Sequence, residues 1–288
     1  MQTGSFRGFD VRVDAPGIAW ITFNTPERLN GMTSAIKRDL VETLVQAQMD
    51  NAVRVIIFTG TGRGFCAGDD LKAYAQGLRA EPGLVPPLPP GHDNAIGTYD
   101  GLRMISQELN RVIRTIDKLT IAALNGVAIQ TGFSLALACD FRIAAEDARM
   151  GSATLRFGLL PDEGGQHLLV QHMGLAKTLD FLMRKRIVSA KEAFDLGLVT
   201  EVVPNDQLVQ AASDLAAELA DGPQVAMRML KRSIYNAAEL TFEQACDEIA
   251  AKTAVVDHHP DARDGVKSFV EKRPAKFNVW LEEDQASG

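Results

Sequence analysis

The chain has 288 residues, 46% of them hydrophobic, enough to bury a sizeable core in one large domain with or without a small helical one. Its net charge of −7 and pI near 5.3 argue against nonspecific binding to DNA or RNA, which needs a basic face. Cys66, Cys139 and Cys246 form an odd set without CxxC spacing, which points to a reducing compartment without disulfides.

The opening residues hold neither an apolar signal segment nor an Arg-rich, acid-free targeting helix, and cytoplasm is the expected location. No uninterrupted apolar run approaches ~18 residues, so no membrane span is expected. Phe9–Val13 and Ile18–Phe23 flank Asp14-Ala15-Pro16-Gly17 and read as a hairpin. Ser34 is placed to cap a helix whose apolar face is Ile36, Leu40, Val41, Leu44 and Val45. Val53–Phe58 reads as a strand that enters the glycine-rich run Gly60-Thr61-Gly62-Arg63-Gly64-Phe65-Cys66-Ala67-Gly68-Asp69-Asp70. Leu71 and Lys72 read as the first turn of a helix. A backbone with few Cβ atoms allows close approach of a ligand, and an N–H near a helix start is a fixed donor.

Residues 80–100 hold a proline-rich stretch that cannot be helical, read as a surface loop or as a lid over a pocket. A helix is expected over Leu102–Ile116. Leu119–Leu124 is a second strand, entering Asn125-Gly126 and then a helix of small residues from Phe133 to Cys139. Two strand–turn–helix units, each with an exposed N–H, are the minimum for a two-donor oxyanion hole. Phe141–Ala144 is a third strand, and strands alternating with helices give an α/β architecture. From Gly164 onward the pattern is almost all helix, roughly 165–173, 176–185, 189–196, 206–220, 223–238, 241–256 and 261–272.

The chain resembles the crotonase (enoyl-CoA hydratase/isomerase) superfamily in Asn24–Met32, Gly62–Leu71, Asn125–Asp140, Ser189–Val203 and Phe269–Arg273, in that order. The resemblance implies a crotonase-like ββα spiral core over residues 1–200, with a helical region over 201–288 that covers the core and makes subunit contacts. It implies a homotrimer or dimer of trimers. Leu215, Leu219, Val225, Met229 and Ile234 supply amphipathic surface for that, burial within the subunit being the alternative. It also implies an acyl-CoA substrate, coenzyme A being part of the substrate and no separate cofactor being required.

Carried over residue by residue, the resemblance places the oxyanion-hole donors at the backbone N–H groups of Asp69 and Thr131. Most members have glycine at the positions of Gln130 and Thr131. A β-branched Thr131 tolerates this role only with helical φ/ψ, not with positive φ. The two glutamates of the hydratases would fall at Ser134 and Thr154, and neither is a carboxylate. A hydroxyl is a poor general base, so Ser134 and Thr154 are read as walls of the acyl pocket. Asp162 stands where isomerase-like and hydrolytic members carry a catalytic acid, with Glu163 in reserve. Capping of the following helix is the bland reading of both. Leu159 and Leu160 are expected to surround Asp162 with apolar area and raise its pKa.

Arg28 and Leu29 fall beside the nucleotide end of CoA, Ala67 near its adenine, and Lys72, Phe269 and Lys272 near its phosphates. For the lysines a solvated face is the alternative. None of His92, His167, His172, His258 and His259 has metal-ligand spacing with carboxylates, and no metal site is expected. An isomerase that moves a double bond with one acid–base group fits these residues best. The alternatives are a hydratase with a different base, a C–C bond hydrolase, or a catalytically silent acyl-CoA-binding protein.

Overall fold

A computed structural model describes residues 1–72, 83–89 and 91–281. A seven-stranded sheet forms its centre. β1 (Gly4–Phe6), β2 (Phe9–Asp14) and β3 (Ile18–Phe23) run antiparallel, and β4 (Val55–Gly60), β6 (Leu119–Leu124), β8 (Phe141–Ala145) and β11 (Glu201–Val203) continue in parallel, in the order 1-2-3-4-6-8-11. Both faces of the parallel strands are buried, which is why they are apolar without alternation. Ile56, Phe58, Ala122 and Leu124 face the main core, whereas Val55, Ile57, Ile121 and Ala123 face a second apolar layer.

A four-stranded sheet packs beside the first, formed by β5 (Gly64–Cys66), β7 (Val127–Ile129), β9 (Arg149–Gly151) and β10 (Ile187–Ser189) in the order 10-9-7-5. Its three-residue strands are too short to show periodicity, and the sequence reading does not contain them. β10 and β11 also interrupt the run of helices expected after Gly164.

Helix α1 (Ser34–Met49) is capped by Thr33, not Ser34: the Thr33 hydroxyl accepts from the Ile36 N–H at 3.3 Å. Ile36, Leu40 and Leu44 are buried as expected, but Val45 is exposed and Lys37 turns inward, fully buried. The helix expected over Leu102–Ile116 is continuous but not uniform. It begins earlier than expected, with α2 (Ala95–Gly101) inside the 80–100 stretch read as a loop, and continues through a π-helical turn at Leu102–Ser106 into α3 (Gln107–Thr115). Residues 83–89 have no regular structure, and the Val85 N–H donates to Asp39 Oδ1 at 3.0 Å. Most of the helix expected from Leu71, and Glu81, Pro82 and Pro90 of the proline-rich stretch, lie outside the described residues.

Then follow α4 (Thr131–Ala138), α5 (Gly165–Met173), α6 (Leu175–Met183), α7 (Ala190–Asp195), α8 (Leu208–Asp221), α9 (Gln224–Ala237), α10 (Phe242–Asp257) and α11 (Pro260–Glu271). The stretch from residue 201 thus begins with a strand of the large sheet. Leu208, Ala212, Ala216 and Leu219 of α8 then pack on the back of that sheet. Leu215 and Leu219, expected as subunit-contact surface, are used within the chain, whereas Ile234 stays exposed. Asp140 ties α9 to the sheet. It accepts from the Thr120 N–H at 2.7 Å, Lys231 Nζ at 2.9 Å and Tyr235 Oη at 2.5 Å.

Candidate active site

The small sheet explains why two loops distant in sequence meet. β5 and β7 are parallel neighbours, so Ala67-Gly68-Asp69, after β5, lies beside Gln130-Thr131, after β7. A Cβ at Gly132 would run into the Cys66 carbonyl oxygen, so glycine there lets the two segments close up. Two asparagines brace the first loop. Asn30 Nδ2 donates to Gly64 O at 2.7 Å and Thr61 O at 3.0 Å, and Asn125 Nδ2 donates to Gly62 O and Gly64 O at 3.1 Å each.

The loop after β5 exchanges two bonds with Met32: Met32 N–H to Gly68 O and Asp70 N–H to Met32 O, both 2.9 Å. That extended pairing, with Gly68 at φ +108°, turns the Asp69 N–H the other way. Thr131 is the first residue of α4, where an N–H has no partner within its helix. Neither the Asp69 nor the Thr131 N–H donates a hydrogen bond to another described residue. Thr131 therefore takes the helical alternative, and the positive φ it would not tolerate falls one residue earlier. Gln130 sits at φ 48°, ψ −107°, which costs a non-glycine residue of order 1–3 kcal/mol. Ser152 Oγ donates to Gln130 Oε1 at 2.8 Å and helps hold that conformation.

Ser134, one turn along α4, is buried, and a Cβ on Gly165 would lie 2.6 Å from its Oγ. The start of α5 therefore packs against the start of α4. Thr154 opens a short 3-10 turn (Thr154–Phe157), its Oγ1 3.2 Å from Ser152 Oγ. The structure thus gathers Gln130, Thr131, Ser152 and Thr154 through β7 and β9, and Ser134 through α4.

The turn before α5 carries the two acids. Gln107 Nε2 and Asn110 Nδ2 donate to the carbonyls of Asp162 and Glu163, both at 2.9 Å. α5 is capped by Gly164 with no side-chain hydrogen bond, so neither acid caps it. Asp162 is half-buried, and burial is the main cause that raises its carboxyl above the ordinary Asp range. Leu159 and Leu160 do not provide that burial: they are 54% and 71% exposed. Glu163 is 3% exposed, and burial again leads in raising it.

Glu163 belongs to a cluster absent from the sequence reading. Lys37 Nζ lies 2.8 Å from Glu163 Oε1, 2.7 Å from Asp69 Oδ1 and 2.9 Å from Ser106 Oγ. Burial opposes the Lys37 charge, but Glu163 and Asp69 outweigh it and raise its pKa. Thr131 Oγ1 touches both carboxylates, at 2.7 Å from Asp69 Oδ1 and 2.8 Å from Glu163 Oε1. No local signal marks Lys37, because its partners lie 32 and 126 residues away.

Of the residues expected around CoA, three come together. The Ala67 N–H donates to Leu29 O at 3.0 Å, Leu29 adopts φ 50°, and Arg28 Nη1 pairs with Asp70 Oδ2 at 2.7 Å. Lys72 is exposed at the end of the same loop. Phe269, 85% exposed on α11, and Lys272 at its C-cap make no hydrogen bond or ion pair with this group among the described residues. No cluster of three or more metal-ligating side chains occurs among the described residues, and no described helix is long and apolar enough to cross a membrane.

The profile of a family described as enoyl-CoA hydratase/isomerase matches residues 14–85 and 91–279. The 1,2-epoxyphenylacetyl-CoA isomerase of Escherichia coli is 32% identical over 264 residues, covering 91% of this chain and 95% of that protein. The hydroxycinnamoyl-CoA hydratase-lyase of Pseudomonas fluorescens is 29% identical over 280 residues, 96% of this chain and 97% of its own. The crystal structure of an enoyl-CoA hydratase from Bacillus anthracis superposes with a TM-score of 0.84 at 29% identity, over 94% of this chain and 98% of that one.

Proposed function

The chain belongs to the enoyl-CoA hydratase/isomerase family, and from that premise we propose that it isomerises an enoyl-CoA thioester by a proton shuttle. The thioester oxygen is received by the N–H groups of Asp69 and Thr131. These donors are fixed before the substrate arrives, so they stabilise the enolate without reorganisation. Asp162 removes a proton from the carbon next to the thioester carbonyl and returns it elsewhere. Arg28, Leu29, Ala67 and Lys72 receive the CoA moiety, joined by Phe269 and Lys272 of α11. Ser134 and Thr154 line the acyl pocket.

The observation that carries this reading is the pair of N–H donors, without a hydrogen-bond partner among the described residues, beside a half-buried carboxyl, with hydroxyls where a hydratase would hold its water between two carboxylates. A second reading keeps water as the nucleophile, because the buried cluster supplies other carboxylates, Asp69 and Glu163, next to the same donors. Purified protein assayed against 2-enoyl-, 3-enoyl- and dienoyl-CoA separates the two. Movement of a double bond without uptake of water supports isomerisation, hydration of 2-enoyl-CoA supports the second reading, and no turnover of any thioester contradicts both.

A further inference from the structure

A hydroxyl has one proton. Thr131 Oγ1 is within hydrogen-bond distance of two carboxyl oxygens, Asp69 Oδ1 and Glu163 Oε1, at 2.7 and 2.8 Å. It donates to only one of them, so the other contact requires a proton on the carboxyl itself. Lys37 does not resolve the shortage, because its three N–H bonds are spent on Asp69, Glu163 and Ser106. Two ionised carboxylates would also outnumber the one ammonium, where Lys37 is fully buried and Glu163 nearly so. An uncompensated buried charge is costly.

Glu163 Oε2 shows where the proton rests. That oxygen is buried and has no hydrogen-bond partner among the described residues. On an ionised carboxylate it would be a bare anionic oxygen, whereas on a neutral acid protonated at Oε1 it is a carbonyl oxygen, far cheaper to leave unpaired. Asp69 is the open end of the chain, its side chain 31% exposed. We propose that Glu163, Thr131 and Asp69 share one proton along a relay pinned by Lys37, and that the Asp69 carboxyl is thereby a second acid–base group beside the oxyanion donors.

When the relay delivers its proton, the electron pair of a substrate enolate forms the new C–H bond, and the O–H pair stays on the carboxyl. Asp69 and Glu163 are then both ionised against the single charge of Lys37. Taking a proton from a substrate carbon restores the resting state. Facing this cluster are Lys37 from α1, Asp69 from the loop after β5, Asp162 from the turn before α5, and Cys66, whose thiol burial pushes up to about 12. Burial, the leading cause of Glu163's raised pKa, agrees with a proton held there.

The role in turnover rests on the proposed isomerisation, but the proton count does not, and the test separates them. Infrared spectroscopy of the free protein at pH 7 reads the C=O stretch of a protonated carboxylic acid, which shifts in D2O. The band is expected in wild type, in Asp162→Asn and in Thr131→Ser, and is expected to vanish in Glu163→Gln. Its absence from wild type, or its persistence in Glu163→Gln, overturns the relay whatever the substrate is. In turnover, Thr131→Val keeps the shape and the backbone N–H but removes the bridging hydroxyl. It is expected to lose ~10²-fold in kcat with unchanged acyl-CoA binding, and Thr131→Ser to restore the rate. Wild-type turnover in Thr131→Val overturns the catalytic role.

Discussion

Replacing Lys37 by methionine tests how the buried cluster is held together. Met has nearly the length of Lys and fills the same space, so the change removes charge and hydrogen bonds with little change in volume. Lys37 Nζ has three partners between 2.7 and 2.9 Å, all in or beside the core. Removing one partner of a buried ion pair costs about 3–5 kcal/mol, because the opposite charge is left uncompensated. At ~2–4 °C per kcal/mol for domains somewhat smaller than this one, thermal unfolding should fall by about 10 °C at pH 7. The pH dependence has a definite sign. Without the ammonium, which now lowers it, the folded-state pKa of Glu163 rises further. A carboxyl with a raised folded pKa favours the native state at low pH and loses that advantage as pH rises through it. The penalty in Lys37→Met should therefore be smallest near pH 5 and grow above pH 7, and Asp69→Asn in the same background, which removes the charge left without its ammonium, should recover a large part of it. Equal penalties at pH 5 and pH 8, or strictly additive costs in the double variant, would refute the coupling.

If the N–H groups of Asp69 and Thr131 receive the thioester and Arg28, Lys72 and Lys272 the CoA, as proposed, calorimetry should show tighter binding of an acyl-CoA thioester than of the matching free acid; equal affinities would count against the site. Lys118 is fully buried, and burial, followed by the charge of Arg228, lowers its pKa from 10.5 to about 7. Its buried charge therefore weakens the fold at and below pH 7 and relaxes as pH rises towards 10.5. Urea midpoints should climb over that window in wild type and stay flatter in Lys118→Met; an identical slope in both removes the assignment. Light scattering at micromolar concentration should give a trimer or hexamer, because Leu230, Ile234, Phe242, Val266 and Val270 leave apolar area exposed on α9 to α11. A monomer would contradict that reading.

The large sheet was legible because Val55–Gly60 and Leu119–Leu124 are apolar runs bounded by glycine or asparagine, and the late helices because Gly174, Gly197 and Gly222 punctuate them. The small sheet was not. Gly64–Cys66 and Val127–Ile129 are three residues each, and their pairing is set by tertiary contact. The two glycine-rich segments stand out as motifs, but whether Thr131 is helical or has positive φ is open in the sequence; of the pair Gln130 and Thr131, only Gln130 has positive φ. Asp162 is singled out by its place before Gly164-Gly165, but its burial does not come from the expected apolar shield: Leu159 and Leu160 are exposed. Lys37 stayed hidden because a charge next to Ile36 on an amphipathic helix reads as the solvated edge. Only the meeting of α1 with the loop after β5 and the turn before α5 shows it as core.

Deuterium uptake measures the central claim most directly. Wild-type protein in D2O, given a 3-enoyl-CoA, should yield the conjugated 2-enoyl product with deuterium at the γ carbon, the position to which the proton taken from the carbon next to the thioester is returned. Asp162→Asn should bind the same thioester with unchanged affinity and lose ~10²–10⁴-fold in both label and product. Labelling and conversion at the wild-type rate in Asp162→Asn would contradict the assignment of the proton shuttle.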